Sequence, residues 1–418
     1  MRVLIKQAKI IQAASPLHNQ VMDILMEDNT IVSIAKHIEE AGAEKIISEK
    51  GLVFSPGWVD LMADYAEPGY EYKEGIKNGL AVAAKGGFTD VVIVPNTQPA
   101  ISNKASVQFA LQQAQGAAAR LHVLGSISAN TDGQGLAEML DMHEQGAVGF
   151  TDGWKPLQNA ALMLKALEYV KAFKGVLVQI PMDTTLASNG LMHEGITSTQ
   201  LGMAGIPSIA ETVLLQRDID LLQYTQSRLH ISGISCAASL DLIRRAKAAG
   251  LHITCDTTPY HLMFNDNALV SYNSLYKVMP PLRTEEDRLA LIAGLKDGTI
   301  DCIASHHRPQ DWDAKQKEFE YASYGMAVQE YSFAALYSKL EKELSIERWM
   351  DLFANNARCI FNLPYQIIQE GASGNFSLVS LQHTHTIQVA TGQSKSNNMP
   401  FDQWTSNARV INTFISKN

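Results

Sequence analysis

Eight short apolar runs along residues 53–304 constrain the fold of this chain more than any other feature. The segments between them have the spacing of amphipathic helices, and a regular alternation of strand and helix is typical of parallel α/β proteins. Eight repeats predict a TIM-type (β/α)8 barrel, in which functional side chains lie at the C-terminal ends of the strands. The runs are 53–61, 90–94, 121–126, 148–151, 176–179, 228–231, 252–257 and 300–304.

A doubly wound sheet is the alternative to a barrel. Such a sheet usually has fewer strands and a glycine-rich phosphate-binding turn, and no turn of that kind occurs in this sequence. Gly86, Gly87 and Gly250 follow helical stretches at the points where helices should stop. The predicted helices lie at 73–85, 104–115, 160–173, 209–224 and 240–249.

The two ends of the chain have a different pattern, with short β-like runs separated by turns. We therefore expect a small β-sandwich domain formed by both chain ends, from residues 1–52 plus 365–418, beside a barrel of residues 53–364. The terminal runs lie at 3–5, 21–26, 30–34, 45–47, 376–381, 386–389 and 410–415.

Charge and cysteine usage argue against several classes of function. The formal net charge is −9, so the chain lacks the basic surface expected for binding nucleic acid or an anionic membrane. No stretch is as long and apolar as a membrane span. The four cysteines lack C-x-x-C spacing, which indicates reduced thiols and no zinc knuckle. We expect a cytoplasmic protein.

The end of the first predicted barrel strand carries a distinctive frame. Pro56 and Gly57 precede Asp60, and Pro68 and Gly69 close the segment. This frame closely resembles the first-strand motif of the dihydroorotases, cyclic amidohydrolases with the pattern Pro-Gly-x-x-Asp-x-His-x-His-x-Arg-x-Pro-Gly. Further segments resemble the same family in order along nearly the whole chain: 85–99, 217–218, 230–231, 258–262, 280–283, 297–301 and 400–404.

The resemblance implies a reaction and a metal site. Dihydroorotases interconvert dihydroorotate and carbamoyl-aspartate by opening or closing a cyclic amide. One or two zinc ions activate the water and polarise the carbonyl. Catalytic zinc typically has three protein ligands and an open position. In the family these ligands come from the ends of several strands, so each position can be compared with this sequence.

Five of the six positions that the resemblance assigns to the metal site carry other residues here. Asp152, after the fourth strand, is the one ligand that is retained. The family has histidines at four of the altered positions, and at the fifth an aspartate that is both ligand and general acid/base. A thioether is a poor zinc ligand and glycine offers none, so we expect no intact catalytic residue. The altered positions are Met62, Asp64, Gln179, Gly233 and His306, the last being the acid/base position.

Positions that contact substrate in dihydroorotases are partly retained. Asn96 and His307 match the family and are candidates for substrate binding. Ala66 replaces the arginine that binds the substrate carboxylate, which removes a bidentate contact. Met279 stands where the family has an asparagine.

Three groups of side chains have two interpretations each. Arg283 and Arg308 either bind an anion at the barrel mouth or pair with nearby carboxylates, and the sequence favours neither. Cys236 and Cys255 lie near strand ends, but no base accompanies them, so inert thiols are favoured over nucleophiles. The side chains of the third group either form an altered metal site or hydrogen-bond to one another in a hydrated barrel mouth without metal, and we favour the second interpretation. Its members are Asp64, Asp152, Gln179, His306 and His307.

We expect a dihydroorotase homologue of pyrimidine biosynthesis that has lost catalysis. In character it is most similar to the inactive dihydroorotase homologues that some aspartate transcarbamoylases require for assembly, since these also keep the fold and lose the ligands. The resemblance implies aspartate transcarbamoylase as a partner, a homodimer and no cofactor. The alternative is an active dihydroorotase or related cyclic amidohydrolase with a remodelled zinc site. A sensor that binds a pyrimidine intermediate without turnover is a third hypothesis.

Overall fold

The computed structural model describes residues 1–416, and the chain begins with strands that belong to one sheet. Strand β1 pairs antiparallel with β2 and parallel with β4 and β5, and β2 pairs antiparallel with β3. These strands cover the predicted N-terminal runs. Their bounds are β1 (Arg2–Ile10), β2 (Val21–Glu27), β3 (Thr30–Ala35), β4 (Lys45–Ile47) and β5 (Leu52–Pro56).

The second sheet consists of eight parallel strands, paired in sequence order, and confirms the predicted TIM-type barrel. The first five strands are β6 (Trp58–Ala63), β7 (Phe88–Ile93), β8 (Arg120–Gly125), β9 (Ala147–Phe150) and β10 (Leu177–Gln179). A separate ribbon follows, formed by β11 (Met192–His193) and β12 (Gly205–Ile206). The last three barrel strands are β13 (Leu229–Ile231), β14 (Ile253–Thr257) and β15 (Cys302–Ile303).

The C-terminal strands complete the first sheet. Strand β16 (Phe376–Ser380) pairs antiparallel with β5 and with β19 (Arg409–Phe414), so the sheet contains both ends of the chain, as predicted. The run 386–389 is not a strand of this sheet. Only β17 (His385–Thr386) is extended there, paired with β18 (Thr405–Ser406), and a 3-10 helix follows at Val389–Thr391. The exact domain boundaries stay a prediction.

Helices cover the outside of the barrel. Asn103 and Thr284 cap their helices by accepting hydrogen bonds from the backbone N–H of Ser106 and Asp287. None of the helices within residues 1–416 combines the length and apolarity that crossing a bilayer requires. The helices are α1 (Ile76–Lys85), α2 (Lys104–Gln113), α3 (Met139–Glu144), α4 (Ala160–Lys171), α5 (Ile196–Leu201), α6 (Ile209–Thr225), α7 (Ala237–Ala248), α8 (Pro259–Met263), α9 (Glu285–Asp297), α10 (Trp312–Lys315), α11 (Ser332–Leu340), α12 (Ile346–Met350) and α13 (Asn356–Phe361).

The predicted strand 53–61 is two strands, one in each sheet. β5 ends at Pro56 beside β16, and β6 begins at Trp58 beside β7. Gly57 lies between them, and a β-carbon there would come within 2.0 Å of Thr89 Oγ1, so only glycine fits this crossing. Both strands are buried on both faces, and the apolar pattern therefore does not reveal where one ends.

The barrel interior is filled by side chains and not by a channel. Alternate strand residues such as Val59 and Val178 point inward, where they form one cluster with Phe361 of α13. The neighbouring positions point outward and pack under the helices in the main core. Hydrogen bonds from Ser305 to Asp60 join the ends of the first and last barrel strands. This rigid frame fixes the strand ends that form the mouth.

Candidate functional site at the barrel mouth

The six positions implied as metal ligands all lie at one end of the barrel. Each is at or just after the C-terminal end of a strand, and parallel strands bring such ends to the same face. The contacts of their side chains differ from one position to the next. The residues are Met62 and Asp64 at β6, Asp152 after β9, Gln179 at the end of β10, Gly233 after β13 and His306 after β15.

The imidazole of His306 occupies the space beside Gly233. A β-carbon built on Gly233 would lie 2.8 Å from His306 Cε1, so a side chain at position 233 and this imidazole exclude each other. His306 Nε2 is 2.8 Å from the Ser232 hydroxyl and 3.7 Å from Asp256 Oδ1. Burial lowers the pKa of His306 to about 4. The ring is therefore neutral at pH 7, and its buried Nδ1 has no hydrogen-bond partner among the described residues.

The retained carboxylate, Asp152, is bonded to the loop after β8. Its Oδ1 accepts hydrogen bonds from the backbone N–H groups of Ile127 and Ser128, both at 2.9 Å, and its Oδ2 accepts one from the Ser128 hydroxyl at 2.5 Å. The side chain is buried, and this burial raises its pKa. Asp152 therefore stabilises the loop instead of presenting free oxygens to the mouth.

Gln179 is also occupied within the protein. Its Oε1 accepts a hydrogen bond from the Leu157 N–H and its Nε2 donates one to the Leu157 carbonyl, each at 3.2 Å. Both polar atoms of a buried amide are thereby satisfied by one backbone residue. Gln179 holds the loop after β9 in place.

The first-strand positions differ in their access to the mouth. Met62 is buried, whereas Asp64 lines the mouth cavity. Asp64 Oδ1 accepts a hydrogen bond from the Ala66 N–H at 3.0 Å, and Oδ2 accepts one from the indole N–H of Trp154 at 2.9 Å. Arg308 Nε lies 3.9 Å from the same Oδ2. Asp64 is thus the one carboxylate of the six positions that faces the cavity.

These residues do not fit a catalytic zinc ion. Three protein ligands are needed, and each polar side chain at the six positions already has a hydrogen-bond partner, with one free nitrogen on His306. No group of three metal-type side chains that includes Asp64, Asp152 or His306 comes together within residues 1–416. The weak donors at positions 62 and 179 and the glycine at 233 add no stronger ligand.

One cluster of metal-type side chains does occur in the described part of the chain, formed by His230, Asp256 and Cys302. His230 Nε2 is 2.9 Å from Asp256 Oδ2, and its Nδ1 is 2.8 Å from the Thr254 hydroxyl. Burial raises the pKa of the Cys302 thiol well above its ordinary value, so the sulfur is a neutral thiol. The cluster is a hydrogen-bonded core pair beside an inert cysteine.

Of the substrate-binding candidates, Asn96 lies on the mouth cavity, and its amide bonds to the Asp152 carbonyl and the Trp154 N–H. His307 is buried and bonds to Glu74 at 3.2 Å. Arg283 is 2% exposed. Its guanidinium donates to the Ile206 carbonyl and the Ser235 hydroxyl and lies 3.5 Å from Glu211 Oε2. Of the two interpretations of Arg283, pairing with local groups agrees with these contacts.

The thiols near strand ends are buried and protonated. Burial raises the pKa of Cys236 to about 12 and raises that of Cys255 further. Cys236 contacts the Ser239 hydroxyl at 3.2 Å and Cys255 contacts the Thr299 carbonyl at 3.3 Å. A thiolate nucleophile is not available at either position.

Sequence reasoning missed the role of Trp154. Its indole donates to Asp64, packs edge-on to His306 with ring centroids 5.4 Å apart, and lies under the guanidinium of Arg308. Trp154 therefore fills the centre of the mouth between the first and last strands. One feature of the sequence could have indicated this role. Trp154 lies two residues after Asp152, just past a predicted strand end, where functional side chains of a barrel are found.

Two cavities open at the mouth. One, of about 460 Å³, is lined by Asp64, Asn96 and other polar groups. The second, of about 280 Å³, is lined mostly by apolar side chains, including Met182 and Met279. Trp154 and Arg308 belong to the walls of both cavities. The mouth thus offers space for a small molecule, but no free set of metal ligands.

Comparisons with known proteins agree with the architecture. The family model described as Dihydro-orotase-like matches residues 51–239. A protein named dihydroorotase from Syntrophus aciditrophicus is 35% identical over 418 residues, covering 99% of this chain and 98% of that protein. One of the same name from Acetivibrio thermocellus is 38% identical over 403 residues, covering 96% and 94%.

Solved structures share the fold. The L-hydantoinase of Arthrobacter aurescens has a TM-score of 0.85 at 20% identity, covering 100% of this chain and 95% of the other. The dihydropyrimidinase of Brevibacillus agri has a TM-score of 0.82 at 19% identity, covering 100% and 94%. At such identities the likeness is one of fold. Together with the full-length relatives above 30% identity, it leads to one conclusion: the chain belongs to the dihydroorotase-like family.

Proposed function

We propose that this chain is a non-catalytic dihydroorotase homologue that acts as an assembly partner of aspartate transcarbamoylase in pyrimidine biosynthesis. One observation carries the loss of catalysis: within the described residues, His306 Nδ1 is the one buried ring nitrogen or carboxylate oxygen at the ligand positions without a partner. Zinc-assisted ring opening requires a metal held by several strand ends. A single free nitrogen does not meet that requirement.

The frame around the lost site supports a scaffold role. The barrel and the sheet of both chain ends are complete, and the match to the Syntrophus aciditrophicus protein extends over 98% of its length. A surface used for assembly depends on packing and not on the metal ligands. Aspartate transcarbamoylase is proposed as the partner because inactive dihydroorotase homologues of this character assemble with it. A homodimer is proposed on the same basis.

Metal content and turnover, measured on one sample, test the loss of catalysis. The chain is purified without chelator, its zinc is determined by mass spectrometry, and hydrolysis of dihydroorotate is followed in the same preparation. The Syntrophus aciditrophicus protein, prepared identically, is the reference. We expect substoichiometric zinc and no turnover. Near-stoichiometric zinc together with turnover would contradict the proposal.

A mixing experiment tests the partner. The chain is combined with aspartate transcarbamoylase from the same cell, and the mass of the eluted species is measured by size-exclusion chromatography with light scattering. We expect a complex heavier than either component, and a dimer for the chain alone. Separate elution at micromolar concentrations of both proteins would exclude the assembly role.

The second candidate function is an active dihydroorotase or related cyclic amidohydrolase with a remodelled zinc site. It is favoured by the name shared by the full-length relatives and by two polar groups at the implied ligand positions: Asp64, which faces the cavity, and His306, which has an unpartnered ring nitrogen. In that case the measurement described above gives both zinc and turnover, and Asp64→Asn abolishes both.

A further inference from the structure

Arg308 is a charged side chain at the mouth whose guanidinium makes no hydrogen bond to any of residues 1–416. Its Nε is buried without a partner, and the nearest carboxylate oxygen, on Asp64, is 3.9 Å from it, beyond hydrogen-bonding distance. The side chain as a whole is 27% exposed, toward the cavities. An arginine stays charged at neutral pH and carries five N–H donors. The side-chain N–H donors of Arg308 therefore have no acceptors among the described residues of the protein.

The position of Arg308 is fixed even though its donors are free. The guanidinium carbon lies over the Trp154 ring, 4.8 Å from its centroid, which is a cation–π contact. Trp154 is in turn held by its hydrogen bond to Asp64. The backbone N–H of Arg308 donates to the Met326 carbonyl at 3.0 Å. A guanidinium held in this way is preorganised to bind a ligand, which reduces the entropy lost on binding.

The polar cavity has an excess of positive charge. Lys73, Lys155 and Arg308 line it, and Asp64 is the one acidic residue in its lining. Asp64 already accepts two hydrogen bonds, and Lys73 donates to Gln310. Three cations against one anion stand out in a chain with a net charge of −9. The electrostatics of this cavity favour an anion.

The second cavity, on the other side of the Arg308–Trp154 wall, favours an apolar group. Its walls include Ile180, Met182 and Met279. Methionine side chains adapt their shape to an apolar ligand. Because Arg308 also lines this cavity, a single small molecule inside it can contact the guanidinium and the apolar walls together.

We propose that the mouth binds a small carboxylate with an apolar body, held by Arg308 without a metal. The carboxylate accepts two parallel N–H bonds from the guanidinium, a geometry that arginine matches well. The apolar body lies against Met182 and Met279. A planar ring that carries several polar groups, such as orotate, leaves those groups unpaired against the apolar wall and binds more weakly. This inference rests on the proposed absence of zinc from the mouth.

Calorimetric titration of the full-length chain tests the inference, with 3-phenylpropionate as the probe. We expect saturable binding of 3-phenylpropionate and much weaker binding of its neutral amide and of orotate. In Arg308→Gln, the affinity falls about tenfold or more, because the charge-assisted hydrogen bonds to the carboxylate are lost. Arg245→Gln is the matched control, because it removes the same charge from an exposed helix position. It keeps wild-type affinity.

A second variant keeps the test valid if Arg308→Gln fails to fold. Thr184 is an exposed residue on the apolar cavity, and Thr184→Trp fills that space while leaving Arg308 in place. It is expected to abolish binding of 3-phenylpropionate. Equal affinity in Arg308→Gln and the wild type, no binding of the probe, or tighter binding of orotate would each overturn the inference.

The zinc content of the titrated sample separates two kinds of failure. A zinc-free sample without probe binding refutes the ligand site and leaves the proposed loss of catalysis intact. A zinc-loaded sample that turns over dihydroorotate refutes the proposed function first, and the ligand site with it.

Discussion

The ring of His306 lies where a side chain on residue 233 would have to be, since a β-carbon on Gly233 would approach His306 Cε1 to 2.8 Å. The dihydroorotase pattern has a histidine at position 233 and an aspartate at position 306. The two replacements are therefore coupled by space, because the glycine leaves room for the larger imidazole. Restoring a histidine at position 233 while His306 remains produces a clash.

The first prediction concerns this coupling. Gly233→His should destabilise the protein by about 2–4 kcal/mol, from the clash with His306 and from strain at φ +76°. Gly250→His is the matched control, since Gly250 has φ +78° and nothing within 4 Å of an added β-carbon. It should show only the strain, about 1 kcal/mol. Urea unfolding measures both, and adding His306→Asp to Gly233→His should restore part of the loss. Equal losses in the two single variants would contradict the coupling.

The second prediction is a pH dependence of stability. Burial lowers the pKa of His306 to about 4, below the value of about 6.5 for an unfolded histidine. The unfolded state therefore binds the proton more tightly, and stability falls as pH drops from about 6.5 to about 4, by up to about 3 kcal/mol from this residue. His306→Asn should show a smaller loss between pH 7 and pH 5 in urea unfolding.

The third prediction concerns the base of the barrel. Arg358 donates to Asp90 Oδ2 at 2.6 Å and to the Gly57 carbonyl at 2.7 Å, and both charged side chains are buried. Arg358→Met removes the cationic partner of the buried Asp90 carboxylate and should lower the free energy of unfolding by about 3–5 kcal/mol. Lys296→Met removes a partner of Glu343 from an exposed pair and should cost less than about 1 kcal/mol. A similar loss of unfolding free energy in both variants would contradict the prediction, because it would show that the buried pair stabilises the fold no more than the exposed pair does.

The fourth prediction concerns metal removal. Because the polar groups at the ligand positions, apart from His306 Nδ1, are hydrogen-bonded within the protein, incubation with a chelator should leave the Tm unchanged, and so should excess zinc. A metal bound to the folded state alone would raise the Tm through mass action and lower it on removal. A fall in Tm with chelator, reversed by stoichiometric zinc, would show that a metal site forms after all. Differential scanning calorimetry of the same sample in both conditions provides the measurement.

Much of the fold could be predicted because strand and helix leave local signals. Buried parallel strands appear as apolar runs, and helices appear by periodicity with glycines at their ends. The division of 53–61 into β5 and β6 was missed, because both strands are fully buried and the crossing at Gly57 depends on Thr89 of another strand. Residues 386–389 were predicted as a strand, and only two extended residues occur nearby.

The sequence by itself determined the barrel and the family frame, because these depend on residue types at fixed positions along the chain, and the replaced ligands are what the resemblance to the family implies. It left open whether Arg283 and Arg308 bind an anion or pair with nearby carboxylates, and it gave no role to Trp154. The tertiary structure decided these points. Arg283 is bonded to groups from other segments, while Arg308 meets Trp154 across the barrel and its buried Nε has no acceptor among residues 1–416. Contacts between residues so distant in sequence depend on how the strands close into a barrel. No local sequence pattern encodes that closure.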